Sequence, residues 1–245
     1  MTYCVALKLN AGLVFLSDSR TNAGLDQIST FRKVMLYEQP GERFMVLQSA
    51  GNLSITQSVR ELLESFQLHD TTTDEMLTIW NVRSMFDAAR VLGAAVRHVH
   101  EREAAALQRA GVDFNVSMIF GGQIQGEGMR LFQVYSAGNF IEATSETPYF
   151  QIGESKYGKP VIDWGITRAT TLNDAAKCVL VSFDSTMRSN LSVGMPIDLI
   201  CYQRNSLEVR MRRRFDEGDG YFARLGDEWS AGTREVFRRL PRLDW

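Results

Sequence analysis

The hydrophobic period changes several times along this chain, and the order of those changes most limits what it can fold into. Thr2 to Leu9 and Leu13 to Ser17 are short β-type runs flanking Asn10-Ala11-Gly12, a three-residue turn that ends in glycine. Val34 to Tyr37 and Arg43 to Gln48 flank a second turn at Pro40-Gly41. After Gly51 the period becomes helical, with Ile55, Val59, Leu62, Leu63 and Phe66 on one stripe. A longer helix is expected from Val82 to Arg109, burying Met85, Phe86, Ala89, Leu92, Val96 and Val99 and stopping at Gly111.

Strands return at Val116 to Gly122 and Leu131 to Ser136. Thr171 and Asp174 then form a capping pair for a helix that turns Leu172, Ala175, Val179, Leu180 and Phe183 inward. Pro196 to Tyr202 and Leu207 to Met211 read as the closing strands. Hairpin strands grouped around helices predict an α+β fold, with two antiparallel sheets face to face and helices on both outer sides. The 245 residues contain no repeat or long linker, so one domain over 1–245 is expected. Its last part, about 215–245, is arginine-rich and carries Tyr221, Phe222, Trp229 and Phe237. It reads as a helical extension that docks on the body or on a neighbouring subunit.

Composition excludes several classes of function. A formal net charge of -2 creates no field that would recruit nucleic acid or an anionic membrane. Three cysteines, Cys4, Cys178 and Cys201, are too few and too scattered for a disulfide framework, and no CxxC pair suggests zinc. No apolar run has the length of a membrane helix, and the first twenty residues lack the features of a secretory signal. A soluble intracellular protein without metal or cofactor is the expectation.

The chemistry points to the start of the chain. Thr2 follows Met1, and its small side chain permits removal of that methionine, which would leave a threonine with a free α-amine. A threonine hydroxyl is a weak nucleophile, but an amine on the same residue can act as its general base. The amine's ordinary pKa of roughly 7.7–8.0 lies close to working pH, and a nearby cation lowers it. Asp18 ends the second β-type run and Lys33 begins the next, so an antiparallel hairpin can bring both beside Thr2.

Competing clusters have plainer readings. Cys4 reads as a small buried residue on the first strand. His98 and His100 are two apart and face different sides of a helix, so with Glu101 and Glu103 they form a solvated surface. The glycines at 121, 122, 126 and 128 belong to turns, since no Lys-Ser or Lys-Thr follows them. Arg210 and Arg212 to Arg214 are followed at once by Asp216, Glu217 and Asp219, which suits a strand end or a subunit contact better than nucleic acid.

The stretch TYCVALKLNAGLVFLSDSRTNAGLDQISTFRKV resembles the start of a proteasome β-subunit, with its opening Thr, DSR-type motif and Lys-Val pair. The T-Y-C-V-A and F-L-S-D-x-R-T-N-A-G patterns, together with DSTMRSNLSVGMPIDL, resemble more closely the bacterial Anbu (ancestral β-subunit) branch. The resemblance implies a four-layer αββα sandwich of the N-terminal-nucleophile hydrolase type and a threonine peptidase or amide hydrolase working through an acyl-enzyme. It implies that Thr2 attacks, that Lys33 lowers the amine's pKa, that Asp18 orients Lys33 and that the Gly51 backbone N–H stabilises the oxyanion. Asn22 and Gly51 match positions that pair with an extended peptide, and Thr30, Ser49 and Leu53 match the pocket for the residue before the cut. Asp184 matches the supporting aspartate. Its usual serine partner is Met187 here, with Ser189 as a substitute.

Two other departures are Glu154 in the slot of the supporting serine, with Ser155 one residue on, and an Asp18–Lys33 spacing one residue short. The implied partners are further copies of the chain, in an open ring or helical turn, and a peptide or protein substrate. No ATPase, nucleic acid or membrane partner is expected. A specialised small-peptide amidohydrolase and a non-enzymatic assembly protein remain as alternatives.

Overall fold

A computed structural model describes residues 2–22 and 28–244, and the side chains of residues 21, 22, 28 and 29 lie outside that description. The first half runs β1 (Tyr3–Lys8), β2 (Gly12–Asp18), β3 (Arg20–Asn22), β4 (Ile28–Thr30), β5 (Val34–Gln39), β6 (Arg43–Gly51), α1 (Leu53–Ser65), β7 (Leu68–Asp70), β8 (Glu75–Leu77) and α2 (Met85–Arg109). The second half runs β9 (Val116–Ile124), β10 (Arg130–Val134), β11 (Phe140–Glu142), β12 (Tyr149–Gly153), α3 (Lys159–Gly165), α4 (Leu172–Ser189), β13 (Ile197–Gln203), β14 (Met211–Phe215) and α5 (Gly220–Arg238).

Ten of these strands make two five-stranded sheets of antiparallel pairs, in the orders β12-β1-β2-β13-β14 and β11-β10-β9-β6-β5, while β3 pairs with β4 and β7 with β8. The alternation of side chains along a strand explains why the central strands are apolar throughout. On β1, Tyr3, Val5 and Leu7 join the cluster formed with Val179, Leu180 and Phe183 of α4. Cys4 and Ala6 turn the other way, into a cluster shared with Phe44 and Val46 of β6 and Ile119 of β9. Met45 and Leu47 of β6 then pack on Val59 of α1 and Ala89, Leu92 and Val96 of α2. Strands buried on both faces read as continuous apolar runs, and these do.

Helix boundaries follow side-chain caps. The expected Thr171 cap is present: its hydroxyl accepts the Asp174 N–H at 3.1 Å and donates to the Asp174 carboxylate at 2.9 Å. The long helix begins at Met85 and not Val82, because Ser84 caps it by accepting the Asp87 N–H at 3.0 Å. The last strand is β14, Met211–Phe215, and not Leu207 to Met211. Asn205 and Leu207 have φ of 64° and 49°, which turns the chain where a strand was expected. Arg214 on β14 pairs with Asp198 at 3.0 Å, and Arg213 lies 4.4 Å over the Phe215 ring, so two of these arginines have partners within the fold. Among the described residues, no helix is long and apolar enough to cross a membrane.

Candidate active site

Thr2 stands immediately before β1, and both neighbouring strand ends hold it. β1 pairs with β2 through Cys4 opposite Ser17 and with β12 through Tyr3 opposite Gly153. On the β2 side, the Tyr3 N–H donates to Asp18 Oδ1 at 2.9 Å. On the β12 side, the Glu154 N–H donates to the Thr2 carbonyl at 2.7 Å. Gly153 has a φ of +83°, and a Cβ there would stand 2.0 Å from the Thr2 carbonyl oxygen and 3.2 Å from the Thr2 Cβ. Glycine at 153 therefore lets the two backbones touch. The next side chain is also fixed. Tyr3 is fully buried, its hydroxyl lies 2.6 Å from Ser182 Oγ, and its ring meets Phe183 edge-on at 5.5 Å.

Asp18 and Lys33 meet as expected. Lys33 Nζ donates to Asp18 Oδ1 at 2.7 Å and to the Arg20 carbonyl at 2.7 Å. The lysine backbone is held by the β5–β6 hairpin, where the Ser49 N–H donates to the Lys33 carbonyl at 3.0 Å. Asp18 is 0% and Lys33 6% exposed. A buried ion pair is weak evidence of stabilisation, because desolvation offsets much of the attraction. The same Asp18 oxygen also accepts the N–H of Tyr3, the residue after Thr2. Burial pushes the Asp18 carboxyl up to about 6, against the pull of Lys33 and the Tyr3 N–H.

That shift has two consequences of opposite sign. The folded carboxyl holds its proton more tightly than an unfolded one of about 3.9. Its contribution to stability is therefore full below about pH 4 and is lost as pH rises through about 6. Reactivity that needs the ionised pair instead declines as pH falls through about 6. Capture of an electrophile by Thr2, followed from about pH 5 to 7, is expected to fall more steeply than protonation of the amine alone requires, and in Asp18→Asn to keep only the amine's own limb.

Gly51 ends β6 with a φ of +113°, and a Cβ there would stand 2.3 Å from the Asn115 carbonyl oxygen. The next residue, Asn52, caps α1 by accepting the Ser54 N–H at 3.0 Å, so Gly51 lies at the mouth of a helix N-terminus. Ser49 is buried on β6, Leu53 is half-buried at the start of α1, and Thr30 is exposed at the end of β4, opposite Arg20. Asn22 pairs with Ile28 along the backbone, while its side chain, like Met1, lies outside the described residues.

Among the described residues, the contacts of Asp184 and Ser189 lie away from Thr2, Asp18 and Lys33. α4 continues to Ser189, so Asp184 sits inside the helix. Its carboxylate accepts from Arg188 Nε at 2.7 Å and faces Gly226 of α5. Ser189 is exposed on the last turn, and Ser155 is half-buried, its carbonyl accepting the Lys159 N–H. Asn190, the first residue beyond α4, reaches the residue that follows Gly153: its Nδ2 donates to Glu154 Oε2 at 3.0 Å. Sequence reasoning missed Asn190, Tyr3 and the Gly153 contact. The signal for Asn190 was the helical period continuing past Asp184 through Met187, which requires the supporting position to lie after the helix.

Cys4 is fully buried, with Sγ 3.8 Å from the Ser49 carbonyl, and burial pushes its thiol pKa up, away from nucleophilic use. His98 lies against Phe66 and His100 against Phe114, both on the exposed side of α2. Among the described residues, no group of three or more His, Cys, Asp or Glu is placed to hold a metal ion.

No protein-family model matches this chain, and no curated protein does. Solved structures do. An Anbu (Gly-1) mutant from Hyphomicrobium sp. strain MC1 is 47% identical over 100% of both chains, with a TM-score of 0.91. Anbu (ancestral β-subunit) from Yersinia bercovieri is 50% identical over 99% of both chains, with a TM-score of 0.90. The helical assembly of the Anbu complex from Pseudomonas aeruginosa supplies a chain 46% identical, with 99% of this chain and 98% of that one covered and a TM-score of 0.90. With a shared mixed α and β fold and this identity over full length, the chain belongs to the Anbu (ancestral β-subunit) family of proteasome-like proteins.

Proposed function

We propose that this protein is a threonine-type N-terminal-nucleophile hydrolase that cleaves peptide or other amide bonds once Met1 is removed. The observation that carries this reading is Asp18 Oδ1, shared by the Tyr3 N–H at 2.9 Å and Lys33 Nζ at 2.7 Å. One carboxylate oxygen thus ties the backbone beside Thr2 to a buried cation.

In this reading the neutral α-amine of Thr2 takes the hydroxyl proton as Oγ attacks the substrate carbonyl carbon. The new oxyanion is held by the Gly51 N–H, and Lys33 lowers the amine's proton affinity. Collapse breaks the amide C–N bond, the α-ammonium gives its proton to the leaving nitrogen, and an ester acyl-enzyme remains. Water then attacks that ester with the same amine as base, releasing the acid and restoring Thr2. Glu154 and Asn190 serve as the supporting pair, and Asp184 and Ser189 have no part. Ser49 and Leu53 contribute to the pocket for the side chain before the cut, Thr30 to its rim, and Asn22 to pairing with the substrate backbone.

The proposed architecture is a single domain with four αββα layers. One apolar cluster joining strands of both sheets and two joining a sheet to helices support it. The proposed working form is a homo-oligomer, open or helical, in which α5 and the residues after it meet another copy. Support comes from the assembly of the Pseudomonas aeruginosa relative and from exposed Trp229, Val236, Phe237, Leu240 and Leu243.

Fluorogenic peptides and small amides, assayed with the mature protein and Lys33→Met, test the chemistry. Lys33→Met is expected to lower kcat/KM by about 10²–10³-fold, the scale of losing one electrostatic stabiliser. It should still fold, because Asp18, already pushed up to about 6, can then take a proton. Equal rates in the two proteins would exclude Lys33 from the chemistry.

A further inference from the structure

Glu154 leaves β12 directly after Gly153 and is only 9% exposed. Its Oε1 accepts the Lys156 N–H at 3.2 Å and its Oε2 accepts Asn190 Nδ2 at 3.0 Å. Both donors are neutral, and among the described residues Glu154 takes part in no ion pair. A carboxylate this buried is costly without a cation. Its own N–H binds the Thr2 carbonyl at 2.7 Å. Covalent geometry puts the Thr2 nitrogen on the order of 3 Å from that same carbonyl oxygen, so it lies within about 6 Å of the Glu154 backbone nitrogen, within the reach of a glutamate side chain.

We propose that Glu154 is the counter-ion of the α-ammonium exposed by removal of Met1, a positioning residue that sets the pH at which Thr2 becomes armed. The inference rests on the hydrolase reading only in its use of the amine as a base. The pairing itself concerns the chain terminus. The slot matched by Glu154 holds a neutral serine in the wider proteasome pattern, so this chain places an added negative charge there.

The sign follows from the charges around the amine. Lys33 of the β5–β6 side disfavours the ammonium, and its partner Asp18 at the end of β2 offsets much of that effect. Glu154 on the β12 side favours the ammonium. Asn190 beyond α4 is neutral, the Cys4 thiol on β1 is kept neutral by burial, Lys156 is exposed, and Arg20 offers Lys33 its backbone carbonyl. The uncompensated charge is negative, so the amine keeps its proton to higher pH than it would beside a serine, and neutral pH leaves the nucleophile largely unarmed.

Carbamylation by cyanate tests this directly, because only the neutral amine reacts. The protein used is mature wild type, with Thr2 shown by intact mass to be its first residue, and the reaction is followed at Thr2 across pH. In Glu154→Gln and Glu154→Ser the midpoint is expected to fall by about one pH unit, raising the rate near pH 7 by about tenfold. Glu154→Asp, which keeps the charge, is expected to stay near wild type. If one neutral variant fails to fold, the other carries the measurement. Equal midpoints in wild type and a folded neutral variant would overturn the inference, whatever the peptidase activity. The shifted midpoint without hydrolysis by any variant would leave the inference standing and sink the hydrolase reading.

Discussion

Thr2→Ala is expected to reduce amide hydrolysis by about 10⁴-fold or more, to background, while leaving the fold and the melting temperature nearly unchanged. Removing a nucleophile abolishes covalent catalysis outright, and what remains comes from binding and oxyanion contacts. Structure should survive because the contacts that hold position 2 are made by its backbone and by its neighbours. The Thr2 carbonyl accepts the Glu154 N–H, and the Tyr3 N–H donates to Asp18. Alanine keeps both. Hydrolysis by Thr2→Ala at the wild-type rate would mean that another group performs the chemistry, and Cys4, buried and with its thiol pushed up, is poorly suited to it.

Gly153→Ala is expected to damage both stability and reactivity, for a reason confined to one contact. A methyl group at 153 would stand 2.0 Å from the Thr2 carbonyl oxygen, so the β1 and β12 ends must separate and the Glu154 N–H to Thr2 bond stretches or breaks. The positive φ adds about 1 kcal/mol, and the displaced backbone brings the expected loss to about 3 kcal/mol. For a domain of this size that lowers Tm by about 10 °C. A shift of order 1 Å at the nucleophile costs about 10²-fold in rate. Gly41→Ala is the control: its φ is +81°, yet an added Cβ meets nothing within 4 Å. Melting both variants separates the conformational cost, common to the two, from the clash found only at 153. Equal melting temperatures would show that the Gly153–Thr2 contact is not tight.

The parts of the site that were legible in the sequence lie close together along the chain. Asp18 and Lys33 flank one hairpin, and Gly51 stands where a strand gives way to a helical stripe. Local pairing and periodicity suffice for those. The parts that were missed are brought in by pairing over long distances. β12 reads weakly, as five residues following Pro148, and it matters because Tyr3 pairs with Gly153, 150 positions away. No local pattern encodes that register. Asp184 was placed at the site because it matches a family position by type, yet the stripe of Val179, Leu180 and Phe183 continues to Met187, and the helix carries Asp184 to Arg188 and Gly226. The closing strand was misplaced because Asn205 and Leu207 adopt positive φ, which Leu207 does not advertise.

The central claim is that Thr2, freed of Met1, is the nucleophile, reacting once its α-amine is neutral. Intact mass measured before and after treatment with a peptide epoxyketone tests it most directly, since that electrophile bonds to both the hydroxyl and the α-amine of an N-terminal threonine. The predicted result is a chain lighter by one methionine that gains one adduct, with none in Thr2→Ala. A chain that has lost Met1 and still never reacts, or one that reacts equally in Thr2→Ala, would contradict it.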